Sequence, residues 1–201
     1  EQPSGLPLAL STAMPSNRGA SGSVATATSD IQLLSPENKL RARKVLVGVA
    51  GSLAMMTRTL GTEKAIWLPQ GLTRDYEPFG TRGHVDIVAT FAAPGVILLH
   101  DQRNPGHPDH AVMKGIRAQL EQATDAKGRR FQIIDVPAPE VQRDAHGFVD
   151  YSYINHLVVN GGVIACGFGE DHADARARDI LAAAYPGRRV VTVDARELFA
   201  R

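Results

Sequence analysis

The run GHVDIVATFAAPGVILLH, residues 83–100, sets two apolar β runs, 85–91 and 96–100, on either side of Ala92-Ala93-Pro94-Gly95. Adjacent Pro and Gly supply the fixed and the permissive backbone that a tight reversal needs, so the stretch predicts a hairpin. After a Pro-rich loop at 104–108, Met113, Ile116, Leu120 and Ala123 recur at the spacing of one helical face. Gly128 closes that helix and 131–136 reads as a strand, giving the order β-β-α-β.

The same order is written again downstream. Runs at 151–159 and 163–166 flank Asn160-Gly161-Gly162, whose Asn-Gly step is a strong hairpin signal. An Ala-rich helix over 172–184, with Ile180 and Leu181 inward, stops at Pro186-Gly187, and 190–193 closes the unit. A third, degraded copy is predicted upstream: a strand at 31–34, a helix over 40–59 and a strand at 65–68. Within that helix Leu46, Val49, Leu53 and Met56 form the stripe. Units that each bury a face on the next form a repeat array or propeller.

A chain of 201 residues with net charge +1 fits one medium domain and offers no excess of charge to attract nucleic acid or an anionic membrane. The apolar stretch 45–56 holds Gly48, Gly51 and Ser52 and is too short to cross a bilayer. Cys166 is the sole cysteine, which rules out an intrachain disulfide and a CxxC zinc site and places the chain in a reducing, cytoplasmic setting. Residues 1–30 are rich in Ser, Ala, Thr, Gly and Pro and predict a disordered leader, leaving 31–201 as the folded domain.

His84 and Asp86 are the candidate chemistry. In a strand, residues two apart share a face, so an imidazole that exchanges protons near neutrality would stand beside an anion able to hold a cation. His100, Asp101, His107, Asp109 and His110 carry metal-ligand side chains but lie in a polar loop entering a helix, which reads as solvated surface or helix caps. A metal-dependent hydrolase using His84, Asp86 and the His107 region is the reading this cluster offers. Cys166 ends a strand as an inert thiol. Asn155 and Asn160 read as partners of turn backbone, and Arg129-Arg130 and Arg188-Arg189 as solvated turn charges.

Several phrases together resemble the agmatine deiminase and bacterial peptidylarginine deiminase family. They are Trp67-Leu68-Pro69 with Gly71, Gly83-His84-Val85-Asp86, Ser152-Tyr153-Ile154-Asn155, Asn160-Gly161-Gly162-Val163-Ile164 with Phe168-Gly169, Pro186-Gly187-Arg188-Arg189-Val190-Val191, and Asp194-Ala195-Arg196-Glu197. The resemblance covers residues 62–201 and implies a pentein α/β propeller of repeated β-β-α-β modules, here partial, with two clear modules and one degraded. It implies hydrolysis of a guanidinium group, in agmatine or in peptidyl arginine, with release of ammonia and no metal or organic cofactor. His84 matches the family's general acid/base, and Asp86 matches one of two aspartates that grip the planar guanidinium, an arrangement suited to bidentate carboxylates.

The family's nucleophilic cysteine lies in a Gly-rich phrase ending Ile-His-Cys, and its first guanidinium aspartate in a Trp-x-Arg-Asp phrase; neither is present in these residues. Arg82 stands where many relatives have an acidic residue. The expectation is therefore a truncated, catalytically silent deiminase half. The alternative is a non-catalytic binding or assembly fragment that forms a homo-oligomer or completes another chain, because an open propeller leaves strand edges unpaired.

Overall fold

A computed structural model describes residues 44–48, 62–78, 80 and 83–199; the predicted leader 1–30 and strand 31–34 lie outside them. Strand β1 (Lys44–Gly48) runs parallel to β2 (Thr62–Trp67). The first complete unit is β3 (Ala89–Ala93), β4 (Val96–Asp101), helix α1 (Asp109–Gln122) and β5 (Gln132–Pro137). Its central β4 pairs antiparallel to β3 and parallel to β5. A short ribbon, β6 (Arg143–Asp144) with β7 (Gly147–Phe148), leads to the second unit. That unit is β8 (Leu157–Val159), β9 (Gly162–Gly167), α2 (Asp171–Ala184) and β10 (Arg189–Asp194), followed by the single turn α3 (Arg196–Phe199).

The two units correspond at the hairpin turn and along the parallel ladder of the closing strand. Each hairpin turns at a left-handed glycine, Gly95 at φ 81° and Gly161 at φ 74°, a backbone region where a Cβ costs energy. In the first unit Gln132 N–H donates to Gly95 O at 2.9 Å and Ala138 N–H to Asp101 O at 3.0 Å; in the second, Arg189 N–H donates to Gly161 O at 2.9 Å and Ala195 N–H to Gly167 O at 3.0 Å. The pairs Leu98 with Ile134 and His100 with Val136 therefore occupy the register of Ile164 with Val191 and Cys166 with Val193.

Packing follows the same repeat. Met113, Ile116 and Leu120 of α1 meet Ile97 and Leu99 of their own sheet and also Ile66 and Leu68 at the end of β2. Ala173, Ala177 and Leu181 of α2 join Val163 and Ala165 of their own sheet in a cluster that takes in Leu98 and Val136 from the far face of the first sheet. Each helix thus also packs against a strand that precedes its own unit, α1 at the end of β2 and α2 on β5. Full burial of a Leu or Ile contributes roughly 1.5–3 kcal/mol, and Leu98, Ile116, Leu120 and Leu181 are all fully buried.

Three elements differ from the sequence reading. Lys44–Gly48 is a strand where a helix was expected, and the remainder of that predicted helix lies outside the described residues. Its run Val45-Leu46-Val47 is apolar at every position, a pattern in which spacing alone does not separate helix from strand. Residues 85–88 form a turn, with Val88 N–H and Ala89 N–H both donating to Val85 O at 2.9 and 2.8 Å, and β3 begins only at Ala89. Val85, Ile87 and Val88 are all buried, so their hydrophobicity reports burial on every side rather than alternation. Of the run 151–159 only Leu157–Val159 is strand.

Candidate active site

The site is built from two turns held by buried polar groups. Thr73–Tyr76 is a single 3-10 turn tied to α1, because Thr73 N–H and its hydroxyl both donate to Asp109 Oδ1 at 2.6 Å. That turn carries the fully buried Asp75, whose Oδ2 accepts from Gly83 N–H at 2.6 Å and His84 N–H at 2.8 Å. Gly83 sits at φ 123°, a conformation a side chain would strain, and this bend delivers His84 into the site.

The structure brings His84 and Asp86 together, though by a turn and not by the strand geometry expected. His84 Nδ1 lies 4.0 Å from Asp86 Oδ1, and the two side chains are 27% and 31% exposed. Among the described residues the buried Asp86 Oδ1 accepts no hydrogen bond, while Oδ2 accepts from Asn155 Nδ2 at 3.2 Å. Asn155, a residue whose position suits a partner of turn backbone, instead orients the carboxylate through its amide. The only signal for it was its place in the Ser152-Tyr153-Ile154-Asn155 phrase.

Three members of the histidine cluster are buried rather than solvated, while Asp101 and His110 are partly exposed. His100, His107 and Asp109 are 3%, 4% and 1% exposed. Asp109 N–H donates to His107 Nδ1 at 3.1 Å, which makes the imidazole a neutral ring whose Nε2–H faces Val149 O at 3.3 Å. Burial outweighs the neighbouring Asp109 carboxylate and holds the His107 pKa down. Among the described residues, no three His, Cys, Asp or Glu side chains converge to hold a metal ion.

Cys166 is half-buried, its thiol donates to Asn155 O at 3.0 Å, and burial pushes its pKa up to about 11. A thiol so protonated near neutrality is a poor nucleophile. Arg129 is 60% exposed and pairs with Asp125, as expected of a turn charge.

The arrangement can accept a planar cation. A carboxylate that is 31% exposed and oriented by an amide can accept from a guanidinium N–H, and an imidazole 27% exposed beside it can pass a proton.

The likeness to known proteins agrees in kind. The chain is 56% identical over 143 residues to the "Putative agmatine deiminase" of Streptomyces avermitilis, covering 70% of this chain and 41% of that protein. It is 34% identical over 163 residues to the agmatine deiminase of Pseudomonas putida, covering 72% of this chain and 43% of that protein. Among solved structures, the Enterococcus faecalis agmatine deiminase superposes with a TM-score of 0.64 at 25% identity, covering 89% of this chain and 50% of that one. The chain thus spans about two fifths of the length of these curated relatives. Residues 47–201 match the family model of the Porphyromonas-type peptidyl-arginine deiminases, and the chain belongs to that family.

Proposed function

We propose that this chain carries the guanidinium-holding and proton-transfer half of a deiminase acting on agmatine, or on peptidyl arginine, with release of ammonia. The observation that supports it is the convergence of His84 with a carboxylate oriented by Asn155 and left with an unpaired oxygen. Asp86 anchors the guanidinium and His84 protonates the departing ammonia, then draws a proton from water for the second half-reaction. The covalent step needs a thiolate, and Cys166 does not supply it. The setting is proposed as cytoplasmic, supported by the sole cysteine.

The test is a chimera in which residues 62–199 replace the matching part of the Streptomyces avermitilis relative. We expect the chimera to release ammonia from agmatine at a rate comparable to that relative, and Asp86→Asn to lower kcat/KM by about 10²–10⁴-fold, the usual scale for a charged group used in the transition state. The 201-residue polypeptide alone should release none. A folded chimera without turnover, while its parent turns over, would refute the reading, and citrulline formed only from peptidyl arginine would move the substrate.

The finer architecture is proposed as a partial pentein propeller. Ile164, Val191 and Val193 are 39%, 42% and 40% exposed, although their counterparts in the first unit are Leu98 and Val136, 0% and 1% exposed, and the partly buried Ile134, all in the cluster that holds α2. The face of β8, β9 and β10 is thus the seat that, in the preceding unit, a following helix covers. Among the described residues β10 is an edge strand, and an exposed apolar face beside that edge favours association. Light scattering on the eluted polypeptide should give a mass above 21.6 kDa, and Val191→Lys should restore the monomer; a monomeric parent would count against it.

A further inference from the structure

We propose that His100 and Ser152 are positioning residues whose task is to set Asp86 and Asn155 against one another. The inference rests on the proposed role of Asp86 as guanidinium anchor, but its structural content stands apart from turnover.

Ser152 is fully buried, and three groups meet at its hydroxyl. Its O–H donates to Ile87 O at 2.7 Å, and Oγ accepts from Ile154 N–H at 3.2 Å, with His100 Nδ1 at 3.0 Å. A hydroxyl has one proton. With that proton on Ile87 O, His100 must donate from Nδ1, which fixes its tautomer. The backbone N–H of His100 also donates, to Val88 O at 2.9 Å.

What these bonds join is specific. Ile87 and Val88 directly follow Asp86, and Ile154 directly precedes Asn155. The His100 imidazole therefore reaches one carbonyl of the turn that carries Asp86, through Ser152, while the backbone N–H at the same position holds the next. Ser152 in turn fixes the backbone beside Asn155. The 3.2 Å bond from Asn155 Nδ2 to Asp86 Oδ2 closes the loop between the two turns.

The fold itself does not ask for a histidine there. At the same register of the second unit stands Cys166, opposite Val193 as His100 is opposite Val136, and that unit forms the same sheet. Burial disfavours the charged form of this imidazole and lowers its pKa from 6.5 to about 3, so the neutral ring is the one that meets Ser152. Cys166 acts on the same segment, its thiol donating to Asn155 O at 3.0 Å. Both equivalent positions, one from each unit, thus hold residues 152–155, the segment that presents Asn155 to the carboxylate.

The test is hydrogen exchange of the Asn155 side-chain amide, followed by NMR on the polypeptide itself. In Ser152→Ala this amide should exchange at least tenfold faster while the backbone amides of β9 keep their protection. Ser152→Thr, which retains the hydroxyl, should behave as the parent. His100→Leu should reproduce the loss and His100→Asn, whose amide nitrogen stands near the Nδ1 position, should spare it, which keeps the question answerable if Ser152→Ala fails to fold. An Asn155 rate within twofold of the parent, or acceleration of β9 in step with it, would overturn the proposal. In the chimera described above, Ser152→Ala should raise KM for agmatine at least fivefold, a change that a smaller folded fraction does not produce. An inactive chimera with the exchange result intact would remove the deiminase reading and leave the positioning role standing.

Discussion

Between pH 7 and pH 4 the polypeptide is expected to lose about 3 kcal/mol of stability through His100 alone, with about 2 kcal/mol already gone at pH 5. The imidazole is 3% exposed, and burial lowers its pKa from 6.5 to about 3. The unfolded chain therefore binds this proton from about pH 6.5 downward, while the folded chain resists until about pH 3. A group depressed in the folded state contributes stability above its unfolded pKa and forfeits it as the pH falls, so the slope is positive below pH 6.5 and flat above. His156 works in the same direction: burial lowers its pKa, and its ring sits 2.8 Å from the Tyr185 hydroxyl and 3.2 Å from Tyr153 O. His107 adds to it. Burial raises the Asp135 carboxyl, which gives a slope of opposite sign in the carboxylate range. Set against a domain stability of roughly 5–15 kcal/mol, the histidine terms predict cooperative acid unfolding near pH 4. Urea midpoints measured from pH 4 to 8 test it. The midpoint should fall steeply below pH 6.5 in the parent and more shallowly in His100→Asn; equal slopes in the two proteins would mean that His100 does not carry the effect.

The fold was legible where local chemistry and tertiary packing agree. The hairpins announced by Pro94-Gly95 and Asn160-Gly161, the helices with apolar stripes, and both closing strands stand where spacing put them. The errors fall where an apolar run meets the interior on more than one side. Val85, Ile87 and Val88 are buried in a turn closed by Val88 N–H and Ala89 N–H on Val85 O, so their apolar run reports burial rather than strand. His84 and Asp86 could be named because short titratable pairs are visible in a sequence. Asn155 could not, since it reaches Asp86 across 69 positions, nor could Asp75, which acts on the backbone N–H groups of Gly83 and His84 and so leaves no side-chain pattern in the sequence. The buried His107 and Asp109 were misjudged for a related reason: their loop is polar in composition, but α1, Thr73 and Val149 together close over it.

Replacing Phe168 by Ala is expected to cost about 3–5 kcal/mol, the range for truncating a buried aromatic ring. Phe168 is 0% exposed and follows the last residue of β9. Its ring stacks on Tyr151 at 4.6 Å and meets Tyr153 and Phe199 at 5.1 Å each. Its backbone N–H donates to Asp174 Oδ1 at 3.0 Å, the carboxylate that also accepts from the Tyr153 hydroxyl at 2.5 Å. One ring therefore fastens three things: the end of β9, the final turn α3, and the segment whose next residues are Ile154 and Asn155. The loss should exceed the transfer term, because Tyr151 and Tyr153 are held from the far side by the same cluster and cannot collapse far into the gap. Phe168→Leu, which keeps most of the volume, should cost under about 2 kcal/mol. Chemical denaturation of the two variants separates the cases: similar losses would show that edge and face contacts of the ring, rather than filled volume, hold this junction. In the Ala variant the Asn155 side-chain amide should also lose protection, since a cavity beside Tyr153 frees the segment that Ser152 and Cys166 otherwise hold in place for Asp86.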